Sequence, residues 1–556
     1  MKRSIKYTLL GAAVLGTVLI TAAAADNTFG LGKNIEILVN MFRNINMFYV
    51  DDVDPDKLMD DAAEGMTKNL DPYTDYISPK NADTFATLTS GKYGGVGSLI
   101  RKSGDWVEFT APYKNSPADR AGIRPGDRII EIDGKDAKGY ATDKVSSLLK
   151  GDPGTTIRIK VRKFPSDQEV ELKLKREIIN IPGVPYYGMV ADSIGYIKHS
   201  DFSEGCSNDI LAAYRSLKAA GAKSLILDLR GNGGGILQEA VKILSMFVPK
   251  GSEVVSTRSS KSGKVVVFKT ENEPVDTSIP IVVLTNSGTA SSAEIVAGAL
   301  QDMDRAVLIG QRTFGKGLVQ STYPLGSGAY VKITTAKYYL PSGRCIQAID
   351  YEHRNDDGSV GIVPDSLIKE FRTAVGRKVY DGGGIMPDVV MPAEYVSSFA
   401  YVVYGTGHID NFISDYCRKH YNTLVVAPRS YRFTDKDYDE FMDYMKDKTV
   451  AWESEASYYW KQFKEAAAKE RWSGNMDSAM ADIEKNLTSD TKANLILYKK
   501  ELSDIIENQI VARYCYNSGA VEHSLRDDNE LAEAVKLLSD GRLYHKTVTS
   551  QDTSRK

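Results

Sequence analysis

Asn286-Ser-Gly-Thr-Ala-Ser-Ser-Ala-Glu-Ile295 follows an apolar run, Ile281 to Leu284, and leads into Glu294-Ile-Val-Ala-Gly-Ala-Leu300. The run reads as a buried strand and the following stretch as a helix. A Ser at such a strand-to-helix turn lies where backbone N–H groups and the helix dipole favour negative charge. That suits a nucleophile whose attack creates an oxyanion. Ser291 and Glu294 also have the spacing of a capping box, which ordinary helices use, so this stretch alone does not establish catalysis.

The neighbouring segments extend the pattern in both directions. Ser224-Leu-Ile-Leu-Asp-Leu229 reads as a buried strand running into Arg230-Gly-Asn-Gly-Gly-Gly235, with a helix from Leu237 to Phe247. Strand, glycine loop and helix invite a dinucleotide reading, but the glycine spacing is not GxGxxG and no clear acidic strand end follows. The loop is instead suited to aim an N–H at a substrate carbonyl. With a further strand from Arg305 to Ile309, the alternation predicts an α/β core with a largely parallel sheet. Downstream, Thr313-Phe-Gly-Lys316-Gly-Leu-Val-Gln320 sets a Lys between two glycines, which disfavour helix. In an extended chain Lys316 and Gln320 share a face. A nucleophilic Ser needs a base, usually His. The six histidines (199, 353, 408, 420, 523, 545) all lie outside these motifs. A Lys can serve where burial keeps its amine neutral.

These motifs together resemble the C-terminal processing (tail-specific) peptidases, S41-type serine proteases with a PDZ domain. The likeness rests on Asp228-Leu-Arg-Gly-Asn-Gly-Gly-Gly235, Thr289-Ala-Ser-Ser-Ala-Glu-Ile295 and the Lys316 segment, and covers roughly residues 30 to 395. It implies a crotonase/ClpP-like α/β core with Ser291 as nucleophile, Lys316 as general base and Gln320 positioning the Lys. It also implies an oxyanion hole from the backbone N–H groups of Ser292 and a glycine of the 231–235 loop, here assigned to Gly231. Two departures stand out. The family prefers Ser-Ala-Ser-Ala-Ser-Glu; alignment on Glu294 selects Ser291 over the adjacent Ser292. Its Gly-Ile-x-Pro-Asp motif appears at Gly384–Asp388, and a similar run, Gly361–Asp365, precedes it in an insertion expected to be a surface loop.

The segment before the core carries its own signature. Tyr93-Gly-Gly-Val-Gly97 precedes alternating strands such as Trp106 to Thr110. Ser116-Pro-Ala-Asp-Arg-Ala-Gly-Ile-Arg-Pro-Gly-Asp-Arg-Ile-Ile-Glu-Ile-Asp-Gly134 follows. This resembles a PDZ domain over residues 89–177. The resemblance implies recognition of a free C-terminal tail by strand addition, with Tyr93, Gly94, Gly95, Val96 and Gly97 forming the carboxylate loop.

Composition and the chain ends complete the reading. At 556 residues with 42% hydrophobic and 26% charged residues, the chain is expected to fold as several globular domains. A net charge of −3 gives no footprint for nucleic acid. The four cysteines are widely spaced, so neither a metal site nor a cofactor site is expected from them. Lys2, Arg3 and Lys6, then an uncharged run from Tyr7 to Ala25 ending in alanines, predict an export signal or signal anchor over residues 1–25 and an extracytoplasmic, periplasmic location. A helical region over 26–88, the protease core over 178–395 and a charged helical tail over 396–556 complete the expected domain order. The tail has helical segments at Asp435 to Lys446, Glu453 to Arg471 and Thr488 to Tyr514, and His545 to Lys556 is expected to be disordered. It is a candidate adaptor or homo-oligomer surface. The expected partners are proteins or peptides with free C-terminal tails. Two other readings remain at this level: an inactive PDZ scaffold or chaperone, and a crotonase-like acyl transfer enzyme.

Overall fold

A computed structural model describes residues 30–259, 261–354, 360–424, 426–472, 476–487 and 490–549. The predicted export segment and the last seven residues lie outside these ranges. The chain divides into two compact units, one of residues 1–83 with 320–334, the other of 84–319 with 335–556.

In the smaller unit, a helix over residues 30–48 precedes a second helix, Pro55–Thr67. Pro55 takes the first turn, where its missing N–H costs nothing, and the Asp54 carboxylate caps the amides of Asp56 and Lys57. Asp75–Ile77 then pairs antiparallel with Tyr330 to Lys332.

The larger unit begins with a five-strand antiparallel sheet extended by a short sixth strand. Its main strands are β1 (Ser98–Ser103), β2 (Trp106–Pro112), β3 (Arg128–Ile132), β4 (Thr156–Arg162) and β5 (Glu169–Lys175), paired in that order. Val107, Phe109, Ile129, Ile157, Ile159 and Val161 supply its buried face, with Val145 and Leu149 of helix α1 (Thr142–Leu149). The alternation of apolar and polar residues in β4 puts every second side chain into that core. This sheet leaves β1 as an edge strand.

The next layer is the predicted α/β core. Strands β6 (Tyr186–Ala191), β7 (Ile194–Lys198), β8 (Ser224–Asp228), β9 (Ile281–Thr285), β10 (Val307–Gly310) and β11 (Val389–Val390) form one sheet in chain order. Only the β6–β7 pair is antiparallel. The central strands β8, β9 and β10 are buried on both faces, which is why they read as mostly apolar runs. On one face Leu225, Leu227, Ile281, Val283 and Leu308 pack against helices α2 (Cys206–Ala219), α3 (Leu237–Leu244) and α4 (Ser292–Asp302).

The other face is covered by the end of the chain. Beyond α5 (Lys499–Ser524), helices α6 (Asn529–Ser539) and α7 (Gly541–Thr549) bury Leu531, Ala534, Leu537, Tyr544 and Val548 against Ile226, Val282, Leu284, Val307 and Ile309. This corrects the expectation of disorder from His545: Tyr544 and Val548 are apolar anchors, and the helix runs to Thr549. The expected helix from Thr488 to Tyr514 is likewise two helices, Thr491–Leu497 and α5, and α5 breaks at Tyr516 (φ 62°, ψ −178°). The rest of the tail has its own core around Phe399, Phe412, Tyr438, Phe441 and Ile506. It also grips the antiparallel sheet and the short helix Pro117–Arg120 beside it: Arg101 of β1 pairs with Asp410 at 2.7 Å, and the Tyr516 hydroxyl donates to Asp119 of that helix at 2.9 Å.

All four cysteines are free thiols. The insertion between Gln347 and Gly384 carries two small hairpins, Ile349–Arg354 with Val360–Ile362 and Glu370–Arg372 with Lys378–Tyr380.

Candidate active site

The turn between β9 and α4 holds Ser291 in a backbone conformation that L-residues rarely adopt, φ 56° and ψ −120°. Such strain at a strand-to-helix turn is the geometry that projects a nucleophile while keeping helix N–H groups beside it. Ser291 is half-buried, whereas Ser292 is enclosed and donates its hydroxyl to the Gly235 carbonyl at 2.8 Å. Of the two serines, Ser292 therefore has a packing role.

Glu294, fully buried one turn into α4, organises this site. Its Oε2 accepts from the Ser291 amide and from the Lys316 amide, each at 2.9 Å. Its Oε1 accepts from the Thr313 hydroxyl at 2.5 Å and the Gly315 amide at 2.8 Å. One carboxyl group thus holds the serine turn and the lysine loop together. Burial pushes its pKa up to about 7, against the pull of these four donors toward the ionised form. The capping-box spacing showed half of this arrangement. The Lys316 half joins residues from separate motifs and had no local signal.

The lysine loop is held from its other side too. The Thr313 amide donates to Ile385 O at 3.0 Å, and the Ile385 amide donates to Thr313 Oγ1 at 2.7 Å. Gly384 has φ +76°, and a Cβ there would stand 2.4 Å from the Thr313 carbonyl oxygen. Asp388 accepts from the Leu308 amide, the Gln301 side chain and the buried Arg377 guanidinium. The Gly384–Asp388 motif is therefore a support for the lysine loop, and the similar run at Gly361–Asp365 belongs to the insertion. The Gly317 amide donates to Gln347 Oε1 at 2.8 Å, which closes the loop behind Lys316.

The oxyanion assignment needs one correction. The Gly231 N–H donates to the Asn286 side chain at 2.9 Å, so it is committed away from Ser291. Gly234 is the loop residue against the serine: a Cβ there would lie 2.7 Å from Ser291 Cβ, Ser292 N and the Ala290 carbonyl oxygen. The Ser292 amide occupies the first turn of α4, where an intrahelical partner is lacking.

Gln320 falls in the smaller unit, where its side-chain Nε2 donates to Thr334 Oγ1 at 3.1 Å and the Thr334 hydroxyl donates to Asp71 at 3.0 Å. His199 flanks the glycine loop, its carbonyl accepting from Asn232 Nδ2 at 3.0 Å. Burial holds its pKa down to about 4, so the ring is neutral at pH 7.

In the antiparallel sheet the expected carboxylate loop is shorter than read. Lys92–Gly95 is a strand paired with Glu177–Asn180, which takes Tyr93, Gly94 and Gly95 out of the loop. Gly94 is required by packing, because a Cβ would meet the Gly151 carbonyl oxygen at 2.3 Å. Val96 and Gly97 make the turn into β1, and their carbonyls are taken by Ala118 N, Tyr113 N and the Ser116 hydroxyl.

A strained serine turn, a glycine loop and a lysine loop held by a buried carboxyl group on a parallel sheet, joined to a PDZ-like sheet, define a serine-type peptidase. Family models agree: peptidase family S41 matches residues 193–368, a PDZ domain 108–163, and a probable PDZ-protease C-terminal helical domain 399–538. A carboxy-terminal-processing protease of Bartonella bacilliformis is 35% identical over 63% of this chain and 78% of its own length. The carboxy-terminal processing protease CtpA of Bacillus subtilis is 35% identical over 62% and 76%. Among solved structures, a photosystem II D1 C-terminal processing protease is 28% identical over 64% of this chain and 92% of its own, with a TM-score of 0.33. The chain belongs to peptidase family S41, and it is a serine-type endopeptidase with a PDZ domain.

Proposed function

We propose that Ser291 and Lys316 form the catalytic dyad and that the enzyme cleaves proteins whose free C-terminal tails dock on its PDZ domain. The observation that carries this reading is the single Glu294 carboxyl group, which binds the backbone of both residues beside the strained serine turn. In the proposed reaction the neutral Lys316 amine takes the Ser291 proton as Oγ attacks the scissile carbonyl. The developing oxyanion is received by the Ser292 amide and by an N–H of the loop around Gly234. Collapse forms an acyl-enzyme as the Lys316 ammonium gives its proton to the departing amine, and the neutral Lys316 then deprotonates the water that releases the acyl group and returns the proton to Ser291.

The tail would add as a strand to the open edge of β1, along helix α1, with its carboxylate at the Val96–Ser98 turn. The Lys/Arg-led apolar start of the sequence supports an extracytoplasmic site of action. The test is cleavage of an unstructured protein with an apolar C-terminal tail by wild type, Ser291→Ala, Ser292→Ala and Lys316→Ala at matched folding. Activity retained only by wild type and Ser292→Ala is expected. Equal cleavage by all four would sink the dyad.

A further inference from the structure

Arg230 stands immediately before the glycine loop, and its guanidinium has a carboxylate oxygen for each of its five N–H donors. Nε donates to Asp228 Oδ1 at 3.1 Å, and Nη2 to Asp228 Oδ2 and Asp528 Oδ2, both at 2.6 Å. Nη1 donates to Asp528 Oδ1 at 3.1 Å and to Glu530 Oε2 at 2.6 Å. The backbone of Arg230 is fixed as well: its N–H donates to Asp228 Oδ1 at 2.9 Å and its carbonyl accepts from Lys198 Nζ at 2.7 Å.

Two of these three acceptors come from the far end of the chain, some 300 residues on. Asp528 is the N-cap of α6 and accepts from the Leu531 amide at 2.9 Å, so its carboxylate is oriented by the helix it starts. Glu530 also accepts from the side chain of Gln311. Gln311 in turn is pinned to β9 by its amide on the Thr285 carbonyl at 3.0 Å, and it leads directly into the lysine loop. Asp528 and Glu530 therefore hold the anchors of both loops that flank Ser291. Helices α6 and α7 fix these carboxylates by burying five apolar side chains on the sheet, and the Tyr544 hydroxyl accepts from the Ile281 amide at 3.0 Å.

A buried ion cluster is a poor way to gain stability alone, since desolvation offsets most of the attraction. What planar, bidentate pairing supplies is fixed geometry. We propose that Asp528 and Glu530 are positioning residues for peptide hydrolysis: the C-terminal helix pair clamps the glycine and lysine loops into register, so hydrolysis requires a docked tail. The proposal rests on the Ser291–Lys316 reading above.

The test uses the full chain with Asp528→Asn, Glu530→Gln, the double variant, and the conservative Asp528→Glu. Three readings are taken: kcat and KM on an unstructured protein with an apolar tail, the rate of covalent labelling of Ser291 by a fluorophosphonate, and the folded fraction. The double variant is expected to lose about 10- to 100-fold in kcat and in labelling rate, with KM changed less than about twofold, as misplaced loops would dictate. Asp528→Glu should recover much of the loss. The proposal is overturned if kcat and labelling per folded molecule match wild type in the double variant, or if only KM or the melting temperature moves. Wild-type hydrolysis by Ser291→Ala would instead overturn the dyad on which the proposal is built.

Discussion

Ser291 and Lys316, 25 residues apart in sequence, donate their backbone amides to the same oxygen of Glu294, each at 2.9 Å. The nucleophile turn and the base loop are therefore not set independently. Any change in the Glu294 carboxyl group moves both. The group is buried and its pKa is raised to about 7, from an ordinary value of 4.5. Between these values the folded chain keeps a proton that the unfolded chain releases, so Glu294 makes stability fall as pH rises through that window. The slope is at most about 1.4 kcal/mol per pH unit, flattening above 7. Glu294→Gln removes this titration. Urea unfolding at pH 5, 6, 7 and 8 should show any advantage of wild type over the variant shrinking toward neutral pH. A constant difference would show that Glu294 stays ionised throughout. Because the amide cannot accept four donors, the variant should also lose about 100-fold or more in kcat at every pH.

The glycine loop gives a matched pair of substitutions. A Cβ on Gly233 meets nothing within 4 Å, whereas one on Gly234 lies 2.7 Å from three atoms of the serine turn. Gly234 also has φ +87°, which an alanine adopts only with strain. Gly234→Ala should therefore cut kcat per folded molecule by about 100-fold and also lower stability, and Gly233→Ala should stay within about twofold of wild type in kcat. Steady-state kinetics on both proteins decides the matter. Equal losses would mean that loop flexibility, rather than contact with Ser291, limits the rate.

Much of this site was legible in sequence because its parts are local. The buried strands read as apolar runs, and Ser291 with Glu294 has the spacing of a helix start. Gly384 and Asp388 were visible as a motif, although their role behind Thr313 was not. What could not be read were pairings set by long-range packing. Nothing near Gly231 signals that Asn286 takes its N–H, which is why the oxyanion glycine was misplaced. Nothing near Asp528 signals Arg230. The glycines at 94 and 95 misled in the opposite sense: a run that suits an anion-binding nest is partly a strand pressed against Gly151.

The edge strand β1 makes the docking of substrate testable apart from the chemistry. If a tail adds to this edge with its carboxylate at the turn after Gly95, amidation removes the charge that the turn receives. Cleavage of a peptide with a free C-terminus should exceed that of its amidated twin by about tenfold or more at concentrations below KM. A Pro in place of Ile100, within β1, removes one ladder N–H and should lower the preference for the free acid while sparing fluorophosphonate labelling of Ser291. Equal cleavage of the two peptides by wild type would remove the PDZ domain from substrate selection.

The helical tail carries one titratable group whose sign can be worked out. His523 and Glu507 are both 5% exposed in their side chains and meet at 3.0 Å. Burial opposes charge on His523, but the hydrogen bonds to Glu507 and to the Pro428 carbonyl outweigh it and hold the pKa above its ordinary value. Arg526 and Arg432 face the same carboxylate, so Glu507 remains compensated when His523 is neutral. A raised histidine pKa contributes stability that is fully present below about 6.5 and is lost as pH rises through the folded value. His523→Gln should therefore lower the melting temperature of the tail more at pH 6 than at pH 9. Arg526 joins Glu507 to the segment that leads into Asp528, so the same variant tests whether loosening this cluster reaches the clamp. A fall in the labelling rate of Ser291 that tracks the loss of tail stability would connect the two. A melting shift without a change in labelling would confine the histidine's effect to the tail core.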